Sequence, residues 1–202
     1  MRVGIINYGM GNLTSVSNAI VVVGGNAVIL DSPGEMVECS HLILPGVGAF
    51  GDAMGRLTKD GWCEGMHRHA IVEQKPFLGI CLGMQLLAET GTEHGTFKGL
   101  GWISGSVTKL DGKEVRVPHI GWNDVELTAR SGLFSDVESG KDYYFVHSYA
   151  VRPTDDSCVT GWCHHGETFA ASLQVNNIFA TQFHPEKSQK NGLKLLENFI
   201  AC

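Results

Sequence analysis

The stretch KPFLGICLGMQLLAET, residues 75–90, sets a cysteine between two glycines directly after a short apolar run. Phe77 to Ile80 reads as a strand buried on both faces, and the run from Leu82 to Thr90 reads as a helix. Gly79-Ile80-Cys81-Leu82-Gly83 has the form G-x-C-x-G, the frame of a nucleophile elbow with cysteine in place of serine. In that frame the glycines permit a sharp strand-to-helix turn that lifts the central side chain above the sheet edge. The stretch therefore points to an α/β fold with its chemistry at a strand end.

Outward from this turn, the first half of the chain repeats the pattern. RVGIIN, AVIL and HLILP are short apolar runs, and LTSVSNAIVVV and DAMGRLTKDGWCEGMHRHAIVEQ between them are helix-like. Apolar runs of four or five separated by helices are how parallel strands covered on both faces read. From about residue 97 the texture changes to aromatic and β-branched segments punctuated by Gly, Asn and Asp: GLGWISGSVTKL, DYYFVHSYAV, CVTGWCHH, FAASLQV and IFATQF. These predict antiparallel or mixed strands. GLKLLENFIA has its apolar residues at helical spacing. With no internal repeat and no Pro/Ser-rich linker, residues 1–202 read as one domain.

The chain has 202 residues, 43% of them hydrophobic, enough for one sizeable core. A net charge of −6 without a basic run offers no footprint for nucleic acid or an anionic membrane. The longest apolar stretch, AIVVVGGNAVIL, is interrupted by Gly24, Gly25 and Asn26, and no signal-peptide core precedes it. A soluble cytoplasmic protein is expected. The six cysteines show no disulfide framework, so reduced thiols are expected. Cys158, Cys163, His164 and His165 match no usual zinc spacing, and neither a metal nor a cofactor is expected.

A helix N-terminus behind Cys81 favours the thiolate, and the backbone N–H of Leu82 is placed to face an oxyanion. A nucleophile needs a base, and among the nine histidines His184 stands out. It ends the run IFATQF and is followed by Pro185 and Glu186. In extended chain residues i and i+2 share a side, so Glu186 can orient the His184 ring. Cys81 as nucleophile, His184 as general base then acid, and Glu186 as orienter imply acyl transfer through a thioester. A second oxyanion donor is expected from the loop HLILPGVGAFGDAM, at the N–H of Val47. Gly46, Gly48 and Gly51 there also spell G-x-G-x-x-G, but Pro45 opens the loop and the unit is not the first of the chain, so the dinucleotide reading is weak.

PGVGAF, GICLGMQLL and FHPE, in that order and spacing, closely resemble class I glutamine amidotransferases. NYGMGN, VPHIGWN, YFVHSY and FHPEKS resemble the glutaminase branch that serves imidazole glycerol phosphate synthases of histidine biosynthesis. The resemblance implies a three-layer, flavodoxin-like α/β fold: a mixed, mostly parallel central sheet with helices on both faces, plus a smaller antiparallel sheet. It implies hydrolysis of L-glutamine to glutamate and ammonia. It implies that Gly48, Gln85, Glu93, Ser148 and Tyr149 hold the glutamine, and leaves His147 undecided. It also implies a heterodimer with a separate (β/α)8-barrel cyclase subunit, faced by Asn12, Trp122, Tyr144 and Lys187, that receives the ammonia. Coupling through the Gly46 to Gly48 loop would make the glutaminase slow until the partner binds its ligand. Three rivals remain: a γ-glutamyl hydrolase or peptidase with the same triad, a degenerate binding module, and a paralogue feeding a different synthase.

Overall fold

The computed structural model describes residues 1–202. In chain order the first half runs β1 (Val3–Ile6), α1 (Leu13–Val22), β2 (Ala27–Leu30), β3 (His41–Leu44), α2 (Phe50–Lys59), α3 (Trp62–His67) and β4 (Phe77–Ile80). Around the cysteine turn come α4 (Leu82–Gln85), β5 (Ala88–Gly91), β6 (Phe97–Lys98) and β7 (Ile103–Lys109). Then follow β8 (His119–Leu127), β9 (Lys141–His147), β10 (Tyr149–Pro153), β11 (Val159–His165), β12 (Glu167–Val175), β13 (Ile178–Thr181) and α5 (Gln189–Ile200). No helix is long and apolar enough to cross a membrane.

β1, β3, β4 and β13 are buried at every position, as their uninterrupted apolar runs require. Alternation along each strand divides these side chains between two cores. Val3, Ile5, Ile43, Leu78, Ile80 and Phe179 pack with Val16 and Ile20 of α1 and with Leu195, Leu196 and Phe199 of α5. Ile6, Leu42, Leu44, Phe77 and Ala180 face the other way, against Phe50 and Leu57 of α2 and Trp62 and Met66 of α3. Each Val, Leu, Ile, Phe or Met among them contributes roughly 1.5–3 kcal/mol by its burial.

The large sheet has nine strands in the order β2-β1-β3-β4-β13-β12-β11-β8-β9. It is evenly divided, with four parallel pairings on the β2 side and four antiparallel ones on the β9 side. The parallel share is thus smaller than the resemblance suggested, because the aromatic second half joins the same sheet rather than forming its own. The four-stranded sheet, β10-β7-β5-β6, is mixed rather than purely antiparallel, since β5 runs parallel to β7. Its inward residues Ala88, Ile103, Val107 and Val151 cover the core on the α2 and α3 side.

Three local readings are corrected. The helix expected over residues 82–90 is a single turn, after which β5 begins. The carbonyls of Leu86, Leu87 and Ala88 are taken by the N–H groups of Leu100, Trp102 and Gly101, so no further helical turn can form. The long helix-like run from Asp52 breaks at Gly61, which sits at φ +77° between α2 and α3. DYYFVHSYAV is two strands parted at Ser148: β9 ends the large sheet, and β10 opens the small one.

Candidate active site

The parallel strands end at one edge of the sheet, and that is where the site forms. β4 and β13 are direct neighbours, with Ile80 opposite Thr181. The Cys81 N–H donates to the Thr181 carbonyl at 2.7 Å. Cys81 sits at φ +55°, ψ −108°, a backbone conformation that non-glycine residues avoid and that a nucleophile elbow demands. The flanking glycines are required by contact. A Cβ on Gly79 would stand 2.7 Å from the Gly83 carbonyl oxygen, and one on Gly83 would overlap the Leu44 carbonyl of β3.

Past β13 the chain delivers Gln182, Phe183 and His184 to the same edge. The His184 N–H donates to the Tyr144 carbonyl, and its own carbonyl accepts from the Ser188 hydroxyl at 2.6 Å, so His184 is anchored to β9 and to the start of α5. His184 Nδ1 meets Glu186 Oε1 at 2.8 Å with both side chains buried. The pairing expected from extended geometry forms, but through a 3₁₀ turn over Pro185–Lys187. His184 Nε2 is buried with no hydrogen-bond partner. Burial opposes charge on this ring, yet the neighbouring Cys81 and Glu186 outweigh it and raise the imidazole to about 10. The ring therefore holds its proton across neutral pH.

A cavity of about 450 Å³ opens beside the thiol and is lined by Val47, Gly48, Cys81, Leu82, Gln85, Glu93, Ser148 and Tyr149 among others. All eight were singled out in the sequence. The N–H groups of Val47 and Leu82 donate no backbone hydrogen bond within the chain. Gly48 stands at φ +107° in the loop that carries Val47. Gln85 is buried, and its Nε2 donates to the Tyr149 carbonyl at 2.9 Å and to Gln182 Oε1 at 3.1 Å. Both amide hydrogens are thus engaged, and Oε1 is the end available to a ligand. Glu93 Oε2 accepts from the Phe50 N–H at 3.0 Å, so this carboxylate also caps α2.

Two residues of this neighbourhood escaped the sequence reading. Gln182 is fully buried and donates to Cys81 Sγ at 3.7 Å while accepting from Gln85. Only its place two residues before His184 could have signalled it. Tyr8 sets its buried hydroxyl under Gly46, 2.5 Å from where a Cβ would stand. Asn12, Trp122, Tyr144 and Lys187 do not line the cavity. Trp122 is 48% exposed and meets the Tyr144 ring edge-on at 6.0 Å, with Lys187 Nζ 5.8 Å from the Tyr144 centroid. Asn12 caps α1 by accepting from the Ser15 N–H at 3.3 Å. Cys163 is buried while His164 is exposed beside it on β11, and no group of three or more metal-ligating side chains is assembled.

Residues 5–202 match the family model described as "Glutamine amidotransferase class-I". The chain belongs to that family. Relatives of this amidotransferase include the imidazole glycerol phosphate synthase subunit HisH of Aquifex aeolicus, 49% identical over 98% of this chain and 96% of the relative. HisH 1 of Campylobacter jejuni is 45% identical over 98% of each chain. Among solved structures, that of PurLQS from Thermotoga maritima superposes with a TM-score of 0.77 at 17% identity, covering 99% of this amidotransferase and 97% of that chain, which is a likeness of fold.

Proposed function

We infer that the chain is the glutaminase subunit of an imidazole glycerol phosphate synthase in histidine biosynthesis, working as a single cytoplasmic amidotransferase domain. The name shared by relatives about as long as this chain supports the pathway. The observation that carries the chemistry is the cavity that Cys81 shares with Val47 and Leu82, whose backbone N–H groups are unengaged, together with the buried His184–Glu186 pair beside the thiol.

In this reading glutamine lies with its side-chain amide over Cys81, and Gln85, Glu93 and the backbone at Gly48, Ser148 and Tyr149 hold its polar groups. With the thiol proton already resting on His184, Cys81 Sγ attacks the amide carbon as the thiolate: a C–S bond forms, and the carbonyl electron pair moves to oxygen, facing the Val47 and Leu82 N–H groups. His184, oriented by Glu186, gives its proton to the amide nitrogen. The oxyanion collapses, the C–N bond breaks and ammonia leaves. Water then adds to the thioester as His184 takes its proton, and cleavage of the C–S bond releases glutamate and restores the site.

Ammonia passes to a separate (β/α)8-barrel cyclase in a heterodimer, for which Asn12, Trp122, Tyr144 and Lys187 form the docking face. The glutaminase is slow alone and accelerates when the cyclase holds its ribonucleotide. Cys81→Ala should lower glutamate release at least about a thousandfold with the fold intact by circular dichroism. Undiminished turnover would end this reading.

A further inference from the structure

The β8–β9 ladder sets His119 directly opposite His147 on its inner face. Both rings are buried. Their hydrogen bonds admit one consistent proton arrangement. His147 Nδ1 lies 2.9 Å from the Tyr149 carbonyl, which can only accept, so the proton sits on Nδ1 and Nε2 is an acceptor. His119 Nδ1 lies 3.1 Å from that Nε2 and must be the donor. His119 Nε2 is then an acceptor, and Asn123 Nδ2 supplies its hydrogen at 3.2 Å.

Asn123 is itself held in this orientation: its Nδ2 also donates to the His164 carbonyl at 2.9 Å, and its Oδ1 accepts from the Asp124 N–H. A proton added to His147 would set two N–H groups against each other at the 3.1 Å junction, and one added to His119 would do the same at the 3.2 Å contact with Asn123 Nδ2. Burial holds both rings neutral, lowering His119 to about 4 and His147 to about 3, and the titratable groups facing them are His165 and His184. His119 is sandwiched between the Phe145 ring at 4.7 Å and the His165 ring at 4.0 Å, which fixes its plane.

The chain of donors ends at the cavity. The Tyr149 carbonyl receives His147 Nδ1–H and Gln85 Nε2–H together. Ser148 and Tyr149 are where the chain crosses from the large sheet to the small one, and both line the cavity. The side chain of His147 closes that corner onto the residue two positions ahead, and the shared carbonyl fixes which end of the Gln85 amide is left for a ligand.

We propose that His119 and His147 are positioning residues: a tautomer-locked pair that fixes the Ser148–Tyr149 corner and the Gln85 amide, and so sets the affinity of the site for glutamine. This rests on the glutaminase reading. His119 acts only through His147, by holding its proton on Nδ1; without that donor, a neutral His147 could turn its Nδ1 lone pair toward the Tyr149 carbonyl.

The test compares variants of the full chain, assayed for glutamate release with the cyclase subunit present. His147→Gln and His119→Phe should raise KM for glutamine about tenfold while kcat stays within about twofold. His147→Asn, whose amide can donate from near the Nδ1 position, should restore KM to within about threefold. In ¹⁵N spectra of the wild-type chain at pH 7, His119 and His147 should both show the Nδ1–H tautomer, and in His119→Phe the His147 signal should shift toward the other form. An Nε2–H or doubly protonated His147 in the wild type would overturn the proposal even if no variant folds. So would unchanged KM in both His119→Phe and His147→Gln, or equal losses in His147→Asn and His147→Gln. Wild-type protein that releases no glutamate would instead remove the substrate reading, while the tautomer spectra still decide whether the pair is locked.

Discussion

Gly83 has no room for a methyl group. The Leu44 carbonyl occupies the space a Cβ would need, and both groups are backbone, so neither can swing aside. Gly83→Ala should therefore destabilise the chain by about 3 kcal/mol or more, read as a lowered denaturant midpoint, and should weaken glutaminase activity by displacing Cys81. Gly24→Ala is a useful comparison: its φ of +86° brings backbone strain, but no atom lies within 4 Å of the added methyl, so the loss should be nearer 1 kcal/mol. The elbow and the HPE segment were legible in the sequence because each is set by residues a few positions apart. Gln182 was not, since what gives it meaning is a bond to Gln85 on another strand-to-helix turn. His147 stayed undecided for the same reason: its partner His119 comes from the opposite strand of the ladder.

Among the elements, α5 is held by more than its apolar face. Asn198 Nδ2 donates to the carbonyls of Leu133 and Ser135, each at 2.8 Å, tying the helix to a 3₁₀ turn that follows β8. Asn198→Ala leaves two carbonyls without a donor and should lower stability by about 1–3 kcal/mol in thermal denaturation. Lys194→Ala, which breaks the exposed pair with Glu197 on the same helix, should change it by no more than about 0.5 kcal/mol. The existence of α5 could be read from its spacing, as could the buried strands from their uninterrupted apolar runs. The end of α4 could not. Leu86, Leu87 and Ala88 are all fully buried, so the run has no polar face to distinguish helix from strand. The break at Ser148 was equally hidden, because it is decided by which sheet each half joins rather than by any residue at the break.

Taken as a whole, the molecule carries histidines of opposite sign in their effect on stability. His69 and His119 are held near 4 and His147 near 3, by burial foremost, with Lys75 and Glu73 near His69 and His165 near the other two. An unfolded chain binds protons at these rings below about pH 6.5, whereas the folded one does not, so their contribution is complete above that pH and lost on acidification. The slope is roughly 1.4 kcal/mol per pH unit for each ring. His184, raised to about 10 because Cys81 and Glu186 outweigh its desolvation, contributes fully below about pH 6.5 and loses that contribution as pH rises toward 10. Denaturant midpoints scanned from pH 4 to 10 should therefore peak near neutrality. A steady climb across the range would contradict the assigned charge states. On the outer face of β8, Trp122 and the 61% exposed Ile120 project away from the core. If the proposed barrel cyclase docks on this face, Trp122→Ala should weaken that association at least tenfold in calorimetric titration, with less than about 1 kcal/mol change in the chain's own stability.

The position of β13 has a consequence for how the protein is made. It is the thirteenth strand in chain order, yet it lies between β4 and β12, at the seam where the parallel and antiparallel halves of the large sheet meet. Until the ribosome has released that strand, the two halves have no common neighbour and Cys81 has no His184 beside it. Nascent chains should thus gain the joined sheet and the proposed catalytic pair in one late, concerted step, and stalled synthesis products ending before Ile178 should be inert as well as unfolded.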